Sequence, residues 1–128
     1  MDCTYKTNRY QLPLMEIVRV TSTEMTFSVV FAYLKEEQED NFNWCLDSLK
    51  FLIHSRLMPF IVVTDRDLAL ANALKRIFPI SRHFLCRWHI RENILGQCKK
   101  TFDIKEKVDL FMSEWSLMVM VDTEEDFV

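Results

Sequence analysis

The hydrophobic pattern of this chain changes period near residue 40. Ahead of that point the apolar residues are largely β-branched or aromatic and come in short runs, which suits pleated strands. A short strand is expected around Asp2 to Tyr5, a second over Leu14 to Thr21, and a third over Thr26 to Leu34. The last two are joined by the turn Thr21-Ser22-Thr23-Glu24. Three strands on short links imply an antiparallel meander. Beyond residue 40, Phe42, Leu46, Leu49 and Ile53 recur at spacings of four, three and four, one face of a helix. The acidic run Glu36 to Asp40 precedes or opens this helix, which is expected to end near Ser55, ahead of Pro59. Phe60 to Val63 is a continuous apolar run ending at Thr64-Asp65, the signature of a buried strand in a parallel pair. Leu68, Ala69, Ala71, Ala73, Leu74 and Ile77 predict a helix over Asp67 to Phe78, stopped by Pro79. A short strand is expected at His83 to Cys86, then one helix from about His89 to Lys100 and another centred on Val108, Phe111, Met112, Trp115 and Val119. Trp44 and Trp115 are read as core residues.

The order β-β-β-α-β-α-β-α-α predicts an α/β fold: three antiparallel strands, then βαβ units, in one mixed sheet with helices on its faces. The ribonuclease H-like fold has this order. At 128 residues the chain is expected to be one domain. A hydrophobic fraction of 49% is enough for a core, and one Gly with three Pro excludes collagen, low-complexity sequence and turn-rich sandwiches. No apolar run reaches the about 18 residues of a membrane span, and MDCTYKTNRY lacks the apolar centre of a signal peptide. A soluble, intracellular protein with no membrane partner is therefore expected. Cys3, Cys45, Cys86 and Cys98 are widely and irregularly spaced, as reduced thiols are. Both ends break off abruptly, which suggests a fragment of something longer, truncated at each end.

Charge alters the picture only when it is divided along the chain. The net charge is −3, but residues 66–100 carry eight Lys/Arg against two Asp/Glu, and residues 101–128 carry two against eight. The middle block could meet a phosphate backbone, or could simply be the solvated faces of amphipathic helices.

Asp65 stands where an apolar strand gives way to a helix, the end of an open α/β sheet at which functional groups collect. Asp2 lies in the first strand, beside the Asp65 strand in the ribonuclease H-like order. Two carboxylates so placed could share a hard cation such as Mg2+, which takes oxygen ligands and keeps several waters. The plain alternative for Asp65 is a turn or cap residue. Asp67, in the first turn of the helix, is read as a capping residue. Cys86 and His89 form a C-x-x-H pair, but a closed zinc site needs four ligands, and His83, Cys98 and Cys3 do not make a second half-site. The pair is therefore read as a buried thiol and a hydrogen-bonded imidazole. Arg82, Arg87 and Arg91 surround Trp88 and His89, a grouping that could grip phosphates and stack on bases. With no GxSxG, P-loop or GxGxxG, no nucleophilic enzyme or small-molecule cofactor is expected.

Five blocks together resemble the Mutator-like element (MULE) transposase domain: DCTYKTNRYQLPLMEIVRVTS, FSVVFAYLKEEQEDNFNWCLDSL, VVTDRDLALANALKRIFP, HFLCRWHIRENI and FMSEWSLMVMVDTEEDF. The resemblance runs over nearly the whole chain. It implies a partial ribonuclease H-like DDE/D catalytic domain over 1–128, with 101–128 the start of the helical region after the core. It implies divalent-metal-dependent cleavage and transfer of DNA strands, with Asp2 and Asp65 as the catalytic, metal-holding aspartates and Mg2+ (or Mn2+) as the ion. Cys86 and His89 fall on the family's C-x-x-H motif. Arg82, Arg87, Arg91, Lys99 and Lys100 are the candidate DNA contacts. DNA is the implied partner, self-association is open, and the implied location is nuclear. The family's third carboxylate sits in a Glu-Ser-x-Asn/His-like context that these residues do not contain; Glu124 and Glu125 fall on a different block. The chain is therefore expected to be inactive alone. The alternative is a domesticated relative, of the far-red-impaired-response type, that binds DNA or regulates transcription.

Overall fold

The structure, a computed structural model, describes residues 1–4 and 8–121. Two compact units divide it, Met1–Cys86 and a second beginning at Arg87. In the first, β1 (Asp2–Thr4), β2 (Leu14–Val20) and β3 (Thr26–Tyr33) form the expected antiparallel meander. Asp2 pairs with Glu16, and Leu14 with Tyr33. The register shifts between Ile17 and Val18, a bulge that sharpens the local twist. Asn8 Oδ1 accepts the Tyr10 and Leu12 amides at 3.1 and 3.2 Å, the local closure that suits asparagine to a turn ahead of a strand.

α1 (Glu39–Leu52) begins with Glu39 and Asp40 and ends with Lys50, charges that complement its dipole. β4 (Ile61–Thr64) is followed by α2 (Leu68–Ile77) and then by β5 (Arg82–Leu85), which lies parallel to β4. α2 starts at Asp67 because its Oδ1 accepts the Leu70 amide at 2.9 Å, as expected of a cap. Its C-terminal carbonyl, Ile77 O, receives Lys50 Nζ from α1 at 3.0 Å, which satisfies a group a helix end otherwise leaves unpaired. The core lies between the strands and these two helices: Met15, Ile17, Leu34, Phe42, Leu46, Leu49, Val62, Leu70 and Leu74 are buried.

In the second unit, α3 (Arg87–Thr101) and α4 (Lys105–Val119) enclose a small cluster of Cys98, Val108 and Met112, with Ile94, Leu95, Phe102 and Trp115 packed against it. The Phe102 and Phe111 rings stand 6.0 Å apart.

Three expectations change. The single mixed sheet is two sheets among the described residues, β1-β2-β3 and β4-β5. β1 has only three residues and makes no ladder with β4; the Met1 amino group alone reaches across, donating to Val63 O at 2.9 Å. β4 is not buried on both sides: Val62 and Thr64 are covered, whereas Ile61 and Val63 are exposed. Trp44 is not core but 62% exposed, because it lies about 200° round the helix from Phe42. Trp115, also expected in the core, is half-buried and packs against the small cluster of the second unit. Tyr5, the expected end of the first strand, and Glu124 and Glu125 lie outside the described residues.

Candidate functional site

β4 delivers Asp65 at its carboxyl end, and the cap at Asp67 turns the chain at once into α2. Asp65 is half-buried there and Asp2 is exposed on β1. The amino group of Met1 is pushed below its ordinary pKa of 8.0 by burial, against the opposing pull of Asp2, Cys86, Asp65 and Cys3. The half-buried thiol of Cys3 is pushed up from 9.0 to about 12, first by burial and then by Glu37, Asp2, Asp65 and Asp67. Asp2 and Asp65 thus both bear on the Met1 amino group and the Cys3 thiol. Cys3 and Glu37 are the parts that sequence reasoning did not assign to the site, and Asp67 was read there only as a cap. Glu37 was visible only as one residue of an acidic run.

Burial first, and the neighbouring carboxylates after it, keep Cys3 protonated. A thiol held in its S–H form offers no thiolate, so the ligands these residues could offer are carboxylate oxygens, which suit a hard divalent ion rather than zinc or copper. Asp2 and Asp65 offer oxygen donors of the kind a hard divalent ion takes. Among the described residues, no group of three or more His, Cys, Asp and Glu side chains could hold a metal ion.

Beneath Asp65, Thr64 is fully buried. Its Oγ1 donates to Asp65 O at 2.8 Å and lies 2.6 Å from His83 Nε2. His83 stands opposite Val62 in the β4–β5 register, on the covered side of the pair. Burial, then Lys75 and the Met1 amino group, lower its pKa below the ordinary 6.5.

The C-x-x-H residues fall on either side of the division between the units. Cys86 closes β5, its amide donating to Thr64 O at 2.6 Å, and its thiol is free and half-buried. His89 is half-buried in the first turn of α3, its ring edge-on to Trp88 at 4.9 Å. Among the candidate DNA contacts, Arg82 is exposed on β5, and Arg87, Arg91, Lys99 and Lys100 are exposed on α3. Arg87 Nη1 lies 3.6 Å from Met120 Sδ, and Arg91 pairs with Glu92 at 2.9 Å. That exposed pair is worth about 0–1 kcal/mol, little enough for a phosphate to displace. Trp88 is 61% exposed beside them.

Comparison with known proteins adds a family. Residues 1–93 match the MULE transposase domain. The whole-chain similarity reaches the Protein FAR1-RELATED SEQUENCE 5 of Arabidopsis thaliana, 29% identical over 128 residues, 98% of this chain and 16% of that protein. The Arabidopsis thaliana Protein FAR-RED IMPAIRED RESPONSE 1 is 27% identical over 93 residues, 73% of this chain and 11% of that protein. A PKS-NRPS hybrid synthetase, cheA, of Chaetomium globosum is 30% identical over 104 residues, 80% of this chain but 2% of that protein. The chain thus spans a small part of each relative. No solved structure matches it.

Proposed function

The chain belongs to the MULE transposase family, and from that premise we propose that it forms part of a ribonuclease H-like core for divalent-metal-dependent cutting and joining of DNA. The observation that carries the reading is the family match over residues 1–93, which includes both Asp2 and Asp65, with Asp65 standing directly after β4. The strand arrangement supports it too. The sheets β1-β2-β3 and β4-β5, bridged by the Met1–Val63 hydrogen bond, are compatible with the ribonuclease H-like order β3-β2-β1-β4-β5. When bound, a Mg2+ or Mn2+ ion would polarise a phosphodiester oxygen and lower the pKa of a water. The chain's own part is to present two carboxylates, Asp2 from β1 and Asp65 from the end of β4, and to meet the DNA backbone with Arg82, Arg87, Arg91, Lys99 and Lys100. DNA as partner and the nucleus as location belong to the same proposal. Two aspartates do not fix two ions, so these 128 residues alone are expected to nick DNA at background rate.

A second reading, a domesticated DNA-binding or regulatory module, is favoured by the relatives named FAR1-RELATED SEQUENCE 5 and FAR-RED IMPAIRED RESPONSE 1. The two part on DNA binding. Fluorescence anisotropy with unrelated duplexes, at salt from about 50 to about 200 mM, should show weak, sequence-independent association that falls steeply with salt, because phosphate contacts dominate it. Tight, salt-insensitive binding to one sequence would contradict the catalytic-core reading and favour the regulatory one.

A further inference from the structure

We infer that His83 and Thr64 are positioning residues for Asp65: His83 Nε2–H donates into the Thr64 hydroxyl, which donates to the Asp65 carbonyl. The direction follows from counting protons. A hydroxyl has a single hydrogen and a carbonyl oxygen has none to give. Thr64 Oγ1 lies 2.8 Å from Asp65 O, so its hydrogen is spent there. At 2.6 Å from His83 Nε2, Oγ1 can then only accept, and the proton between them belongs to the imidazole. The chain of bonds therefore runs one way, and it selects the Nε2–H tautomer of His83.

The placement gives this chain of bonds a purpose. Thr64 is the last residue of β4 and is wholly buried, so its side chain has one orientation. By holding Asp65 O it fixes rotation about the Cα–C bond of the residue that carries the carboxylate. His83 reaches Thr64 because β5 runs parallel to β4 with Val62 opposite His83. Its depressed pKa keeps the ring uncharged at neutral pH, consistent with a single N–H directed at Oγ1. Partners that orient a metal-holding side chain typically matter about 10–100-fold in metal affinity.

The inference rests on the reading of Asp65 as a metal-holding residue, and the experiment separates the two. Mn2+ affinity is measured by electron paramagnetic resonance on the whole chain, for wild type, Asp65→Asn, His83→Leu, His83→Gln, Thr64→Val and Thr64→Ser. Ring 1H–15N correlation spectra give the tautomer of His83. The expected results are an Nε2–H ring and loss of Mn2+ binding in Asp65→Asn. His83→Leu and Thr64→Val should bind about 10-fold more weakly. His83→Gln, whose amide nitrogen can replace Nε2–H, and Thr64→Ser, which keeps the hydroxyl, should bind close to wild type and show that the losses are not misfolding. An Nδ1–H ring, or unchanged Mn2+ affinity in His83→Leu and Thr64→Val while Asp65→Asn abolishes it, overturns the inference. Unchanged affinity in Asp65→Asn overturns the metal reading itself, and with it the positioning role.

Discussion

Removing a carboxylate near Cys3 should speed a reaction that the folded protein suppresses. The Cys3 thiol stands at about 12 against an ordinary 9.0. Three units lower the thiolate fraction near neutral pH about 1000-fold, while the more basic thiolate is about 15–30-fold more nucleophilic, given a Brønsted slope near 0.4–0.5. The net effect is exchange with a disulfide reagent slowed about 30–60-fold. Cys3 is half-buried, so solvent screens part of the carboxylate effect, and a slowing nearer about 10-fold is the lower bound. The assay compares folded and urea-unfolded protein, following the Cys3 peptide by mass spectrometry, because Cys45, Cys86 and Cys98 also carry free thiols. Burial slows exchange through access as well as ionisation, so charge is isolated with Glu37→Gln and Asp65→Asn. Each should speed Cys3 exchange by about 1.5-fold, the net effect of a few tenths of a pKa unit at that Brønsted slope. Equal rates in folded and unfolded protein, or variants that stay folded and leave the rate unchanged, would refute the convergence of these carboxylates on one thiol.

Other outcomes follow from the same structure. Asp67→Ala should lower stability to urea by about 1 kcal/mol, since the Leu70 amide loses its cap; an unchanged midpoint would mean the cap contributes nothing. Leu46→Ala, at a position with no solvent exposure in the α1–α2 core, should cost about 2–5 kcal/mol, and a loss below about 1 kcal/mol would place the core elsewhere. In alkali the unfolded chain ionises Cys3 before the folded one does, so the contribution of this thiol is intact below pH 9.0 and is lost between there and about 12. Stability against pH should therefore fall over that window and fall less in Cys3→Ser; identical curves would contradict the raised thiol.

Much of the fold was legible because each element carries its own local signal. The β-branched run at Thr26–Tyr33, the four-three-four spacing from Phe42 and the capping aspartate at Asp67 each state their structure within a few residues. What the pattern hid was relational. Trp44 looked like core by residue type, although its position on the helix points away from Phe42, Leu46 and Leu49. Ile61 and Val63 looked buried because an apolar run cannot say which faces have covers. Asp2 and Asp65 could be picked out from strand order and family resemblance, but nothing local marked Glu37, which acts on Cys3 from the link between β3 and α1. His83 was weighed only as a stray metal ligand; its bond to Thr64 exists because β5 pairs with β4 in one register, which sequence spacing does not encode.

The central claim is that Asp2 and Asp65 form one cation site across two strands. Its most direct test is an Mn2+ titration of 15N-labelled protein, followed by paramagnetic broadening of amide signals. The expected result is that the signals of residues 2–4 and 64–67 broaden together at the lowest Mn2+ concentration, and that Asp65→Asn removes the broadening from both segments. Broadening confined to one segment, or centred instead on the acidic residues Asp103, Glu106, Asp109 and Glu114, would contradict the claim.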